Sequence, residues 1–143
     1  MSRKLIIAAS LAIASAFAAP AMANDVTIDQ FGFGNSAGGG QTGWNNKLGV
    51  FQDGVFNNTI IEQFGSNNTA ATGQSGWNNN AETSQNGHNN AGGIGQFGDN
   101  HNAILTQDGN GNVAAGVQVG NGCDADVAQA GSGNVAAFVQ TCP

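Results

Sequence analysis

Polar and apolar positions alternate along most of the chain, in short runs that restart every eleven residues. One run places Asn57, Thr59, Ile61 and Gln63 on alternate positions, and the same order returns as Asn46, Leu48, Val50, Gln52 and as Asn134, Ala136, Phe138, Gln140. Val26 and Ile28 lead into Gln30 in the same way. A period of two predicts a β-strand whose two faces meet different surroundings. Charge falls on the intervening positions, as at Lys47, Glu62, Glu82, Asp124 and Asp126, or in the turns. The face that begins with Asn and ends with Gln is therefore predicted to be the interior.

The register of these runs does not slip. Gln stands at 30, 41, 52, 63, 74, 85, 96, 107, 118, 129 and 140, that is Gln30, Gln41, Gln52, Gln63, Gln74, Gln85, Gln96, Gln107, Gln118, Gln129 and Gln140. Two residues after each comes a glycine: Gly32, Gly43, Gly54, Gly65, Gly76, Gly87, Gly98, Gly109, Gly120 and Gly131, with Cys142 in the last place. Five residues after each Gln comes Asn35, Asn46, Asn57, Asn68, Asn79, Asn90, Asn112 or Asn134, with His101 and Cys123 as the two departures. A short period held this strictly identifies a repeat architecture. Stretches such as Phe64-Gly65-Ser66-Asn67 and Val119-Gly120-Asn121-Gly122 read as turns, since Gly and Asn accept the positive φ that a tight reversal needs. Each unit is then a strand of about seven residues, near 23 Å long, followed by a turn of four.

Two chain paths accommodate such units. One is a flat antiparallel meander. The other is a coil whose alternate strands stack into two facing sheets, with 22 residues per rung. In the coil, residue i lies above residue i+22, so Gln30, Gln52, Gln74, Gln96, Gln118 and Gln140 form one column. An unpaired buried amide costs on the order of 1–3 kcal/mol. A column spaced at about 4.8 Å lets each amide bond the next. The meander offers no such straight ladder, and the coil is preferred. The predicted fold class is all-β: a two-sheet β-solenoid of eleven-residue strand–turn units, cross-β on assembly. Counted from Asn24 there are eleven strands, so the first and last share one sheet and leave unpaired backbone groups along the axis.

The ends and the charge narrow the class. Arg3 and Lys4, the apolar run 5–19 and the small residues of Ala21-Met22-Ala23 read as a secretory signal peptide, residues 1–23, cleaved after Ala23. Residues 24–143 are then one repeat domain. The whole chain carries −6 at pH 7; beyond the leader, nine acidic residues stand against Lys47 alone, a net charge of −8. So acidic a domain lacks the basic stripe that nucleic-acid binding needs, and no nucleic-acid partner is expected.

Candidate chemistry is sparse. His88 falls in a turn and His101 at the start of a strand on the opposite edge, so they are not expected to meet as metal ligands. Asp124 and Asp126 share a face but read as a solubilising patch, and no converging carboxylate pair or nucleophile constellation is present. No enzyme activity, cofactor or metal is expected. Cys123 and Cys142 lie at neighbouring places on one edge, one rung apart, and an oxidising compartment favours their disulfide. Trp44, Trp77, Phe33, Phe56, Phe64 and Phe97 fall in turns, where they either cover the sheet ends or offer lateral contacts.

The unit Gln-x-Gly-x-x-Asn-x-Ala-x-x-x-Gln resembles the curlin repeat of bacterial extracellular amyloid fibres. Gln63, Gly65, Asn68, Ala70 and Gln74 carry every position of it, as do Gln74, Gly76, Asn79, Ala81 and Gln85. The resemblance implies a structural subunit of a curli-like fibre at the cell surface, exported through the periplasm, with roles in biofilm matrix and adhesion. It implies itself as main partner in head-to-tail stacking, with a nucleator subunit and an outer-membrane export channel. The chain differs from the family pattern in holding every interval at eleven residues and in lacking a long segment ahead of its repeats. A monomeric secreted β-solenoid adhesin or ligand-binding module is the alternative, although no outward rank of Thr and no polar end caps support it.

Overall fold

The computed structural model describes residues 23–143, so the expected leader, apart from its last residue, lies outside the described residues. Eleven strands follow one another: β1 (Asp25–Phe33), β2 (Ser36–Trp44), β3 (Lys47–Val55), β4 (Asn58–Ser66), β5 (Thr69–Trp77), β6 (Asn80–His88), β7 (Ala91–Asp99), β8 (Asn102–Asn110), β9 (Val113–Asn121), β10 (Asp124–Ser132) and β11 (Val135–Thr141). Among the described residues there is no helix.

Odd-numbered strands form a six-stranded sheet in the order β1-β3-β5-β7-β9-β11, and even-numbered strands a five-stranded sheet in the order β2-β4-β6-β8-β10. Every pairing is parallel and offset by 22 residues, as in Gln52↔Gln74 and Gln63↔Gln85. Sequential strands never pair, which selects the coil over the meander. The pattern explains this choice. Each strand is too polar on its inner face to be buried unless an identical amide lies above and below it, and only in-register parallel stacking supplies that.

The strands are longer than the sequence pattern suggests. Most have nine residues rather than about seven, and two residues rather than four link them. The ladder continues through the glycine, pairing Gly65 with Gly87 and Ser66 with His88. Even the linking residues bond between rungs: the Asn67 N–H donates to Trp44 O at 3.1 Å, and the Phe56 N–H to Phe33 O at 3.0 Å.

The two sheets meet over a thin core. Leu48, Val50, Ile61 and Ala70 form one apolar cluster, and Ala81, Ile94, Ala103, Leu105 and Ala114 another. Large side chains sit opposite small ones, as where a Cβ at Gly92 would meet the Leu105 side chain. Burying Ile61 completely is worth about 1.5–3 kcal/mol. At the coil ends the same face opens: β1 is exposed along its length, and β11 is at best half-buried.

Candidate functional site

Two amide columns run the length of the coil, one per sheet. In each, the Gln Nε2 donates to the Oε1 of the Gln 22 residues on: Gln52 to Gln74 at 2.7 Å, Gln63 to Gln85 at 2.7 Å, Gln96 to Gln118 at 2.9 Å. From Gln41 on, the second N–H of each amide crosses to the facing sheet. Gln63 donates to Lys47 O at 3.0 Å, and Gln85 to Thr69 O at 3.0 Å. Each interior Gln thus ties its own strand to the next rung and to the strand across the core. Gln52, Gln63, Gln85, Gln96, Gln107 and Gln118 have no exposed surface.

The Asn columns satisfy the bends. The Oδ1 of each Asn accepts the backbone N–H of the residue one rung on: Asn46 from Asn68, Asn68 from Asn90 and Asn90 from Asn112, each at 3.0 Å. Its Nδ2 donates to the carbonyl of the bend glycine 19 residues on, as from Asn57 to Gly76 at 3.0 Å and from Asn68 to Gly87 at 2.9 Å. The bend glycine is required twice over. At Gly65, φ is +117°, and an added Cβ would fall on the carbonyl oxygen of Gly87. Asn and Gly therefore recur together because the first caps the carbonyl that the second exposes by letting the rungs approach.

His101, which breaks the Asn pattern in the sequence, takes over the acceptor half of its hydrogen bonding in space. Its Nδ1 accepts the Cys123 N–H at 3.1 Å, and its Nε2–H donates to Phe97 O at 3.2 Å. The ring is fully buried, and these partners select the neutral Nε2–H tautomer. Cys123 and Cys142 are joined as a disulfide with Cα atoms 5.6 Å apart, linking the end of the chain to the bend below it. His88 lies on the opposite edge, its Nδ1 2.6 Å from Ser66 Oγ. Among the described residues no group of three His, Cys, Asp or Glu is arranged to hold a metal ion. Asp124 lies on the outer face and accepts from Asn102 Nδ2 at 2.9 Å.

Of the aromatics expected in turns only Phe56 lies in a bend; Phe33, Trp44 and Trp77 end strands and Phe64 and Phe97 lie within them, because the ladder runs on through the glycines, and none of the six covers the interior. Trp44 and Trp77 are 58 and 55% exposed, and Phe33, Phe56, Phe64 and Phe97 between 45 and 70%. They are available for contacts outside the molecule. Phe56 is unusual in holding φ at +57°, a region its side chain disfavours.

The columns stop abruptly at both ends. Gln30, Gln41, Asn24 and Asn35 begin them, and Gln129, Gln140, Asn134 and, in the last Asn place of the second column, Cys123 finish them. Gln30 donates to Gln52 and Gln41 to Gln63, and at that end no donor among the described residues reaches the acceptor oxygens of Gln30 and Gln41. Gln129 and Gln140 accept from Gln107 and Gln118 but donate only across the core, to Val113 O at 3.0 Å and Asp124 O at 3.1 Å, leaving an N–H of each without an acceptor at the other end. The sequence suggested the columns, but not the cross-core bonds, the Asn-to-glycine bonds or the polarity. Those depend on partners 16 and 19 residues away, distances that match no period in the chain.

The two ends of this site are chemically complementary. One end offers acceptors and the other donors, on strands with open backbone edges, and among the described residues no converging acid, base or nucleophile accompanies them. A family model described as the curlin associated repeat matches residues 22–54, 44–76 and 76–109. A search of curated proteins found no match.

Proposed function

Because the chain belongs to the curlin associated repeat family, a family of structural fibre subunits, we propose that it self-assembles head to tail into an extracellular amyloid fibre of the curli type, serving biofilm matrix and surface adhesion. The observation that carries this reading is the pair of unfinished amide columns, with acceptors at one end and donors at the other. A monomeric solenoid would need those ends capped. An open parallel edge in register with its own opposite end is instead a template for a second copy. The reading includes a cleaved leader over residues 1–23, passage through an outer-membrane channel, and a nucleator subunit that starts growth. The interior amides Gln52 to Gln118 hold each subunit, and the terminal ones join subunits.

The test is incubation of the secreted chain under physiological salt. Fibres with a meridional reflection at about 4.7–4.8 Å are expected. A chain that folds, as judged by its β-sheet circular dichroism, yet stays monomeric at high concentration would overturn the proposal in favour of a solitary binding module.

A further inference from the structure

The coil ends in a step at each end, because eleven strands divide unequally between two sheets. Beyond β10, the five-stranded sheet stops while β11 continues the other sheet. The result is an open notch lined by Asp124, Asp126, Val127, Phe138 and Gln140. At the opposite end β1 projects in the same way, met across the core on one side only, by β2, whose Gln41 Nε2 donates to Asp25 O at 3.2 Å. Val26 and Ile28 sit on its inner face, the face that is buried in the middle of the coil, and here they are 55 and 41% exposed. One polar atom at this end stands out. Gln41 Oε1 is buried and, among the described residues, has no hydrogen-bond partner.

We propose that successive copies join with a rotation of about half a turn around the fibre axis, so that β1 of the incoming copy fills the notch above β10 and its β2 stacks on β11. This inference rests on the head-to-tail reading above and specifies its geometry. Two placements of a second copy keep the strands parallel and in register. In unrotated stacking, β1 of the next copy lies on β11. Gln140 then meets the next copy's Gln30, while Gln129 and the next copy's Gln41 face an empty half-rung. After the half-turn, Gln129 donates to the next copy's Gln30 and Gln140 to its Gln41, which supplies the missing partner of the buried Oε1. Asn134 Oδ1 comes beneath the backbone N–H of the next copy's Asn35, as Asn112 Oδ1 lies beneath that of Asn134 at 3.0 Å. Val26 and Ile28 of the next copy close over Ala136 and Phe138. The rotated joint repeats the interior of the coil, and the unrotated joint leaves two amides and an apolar cleft open. Each copy then advances the fibre by 5.5 rungs, about 26 Å at the usual strand spacing.

Cysteine pairs on the outer faces distinguish the two placements. The half-turn sets Asp29 of one copy in register with Ala128 of the previous one, whereas unrotated stacking sets it in register with Val139. In-register neighbours about 4.8 Å apart fall within the Cα separation of roughly 4.4–6.8 Å that a disulfide accepts. All three side chains are exposed, so the substitutions spare the core. Fibres of an Asp29→Cys, Ala128→Cys double variant, oxidised with copper phenanthroline and dissolved without reductant, are expected to give a ladder of covalent multimers. Fibres of Asp29→Cys with Val139→Cys are expected to dissolve to monomer. The reverse result would overturn the half-turn while leaving fibre assembly standing. Helical reconstruction of unsubstituted fibres reads the same quantity directly: a rotation near 180° per rise of about 26 Å supports the proposal, and a rotation near zero refutes it. Absence of fibres from the unsubstituted chain would instead refute the parent reading.

Discussion

Gln63 and Gln30 occupy the same place in the same motif, yet Gln63 has no exposed surface and Gln30 lies open. Gln63 accepts from Gln41, donates to Gln85 and reaches Lys47 across the core; Gln30 bonds Gln52 alone. Middle rungs and end rungs thus differ not in residues but in neighbours. Each rung borrows hydrogen bonds from the rungs on both sides, so the first and last are incomplete. In a fold built this way the proposed function, addition of another copy, is the continuation of its own interior.

The comparison can be broken most strongly at Gln63. Gln63→Leu strands the amides of Gln41 and Gln85 and the carbonyl of Lys47, and is expected to destabilise the fold by about 3 kcal/mol or more. Gln30→Leu strands only Gln52 Oε1, and should lower the denaturation midpoint less than Gln63→Leu does while slowing fibre growth. Glu62→Leu, on the outer face, should affect neither. Denaturant titration together with growth kinetics separates the three; equal effects of the inner and outer changes would refute the interior role assigned to the amides.

The glycine bends sharpen the contrast. Gly65→Ala combines a positive φ with a Cβ aimed at the Gly87 carbonyl, and a loss of about 2–4 kcal/mol is expected. Gly131 has φ +101°, but its Cβ would meet nothing closer than Asn134 Nδ2 at 3.7 Å, since no rung lies above it. Gly131→Ala should therefore cost the subunit only about 1 kcal/mol. In a half-turn joint, the next copy's Gly32 carbonyl occupies that space, so fibre elongation should slow at least tenfold. Normal elongation by the Gly131→Ala variant would count against the rotated joint.

At the same end, reduction of Cys123–Cys142 removes the closure of a 19-residue separation, worth about 3 kcal/mol by loop entropy. Cys142→Ser should lower stability by up to that amount, with the loss seen as faster hydrogen exchange in β11 and not in β5. Thiol titration of the denatured, unreduced chain should find no free thiol.

The smallest effect expected is a gain. Phe56 holds φ +57°, where Asn stands in the equivalent bends at 45, 67, 78, 89 and 100. Phe56→Asn should raise stability by about 0.5–1 kcal/mol, read from the thermal midpoint. No gain would mean that the Phe56 contact with Phe33, centroids 5.7 Å apart, offsets the strain.

Much of the coil was legible in the residues themselves. The eleven-residue interval and the alternation of Asn57, Thr59, Ile61 and Gln63 defined the strands and their inner face, and the need of buried Gln for like neighbours pointed to parallel stacking at i+22. The strand limits were less legible, because the ladder passes through glycines that usually end strands. The role of His101 was hidden, since an imidazole replaces an amide only when its two nitrogens meet an N–H and a carbonyl in the right places. The alternation also places Thr72 and Thr83 inside, but it does not reveal that their hydroxyls are buried without partners.

By itself, then, the sequence determined everything that follows from periodicity: the strand, its two faces, the columns and the number of rungs. These are local or repeat by translation, so one unit specifies them all. Only the tertiary structure decided which copies of the motif are buried, which carbonyls the second amide N–H reaches, and which way the donors point. Those properties depend on what lies across the core and on the next rung, and at the two ends there is no next rung within the chain.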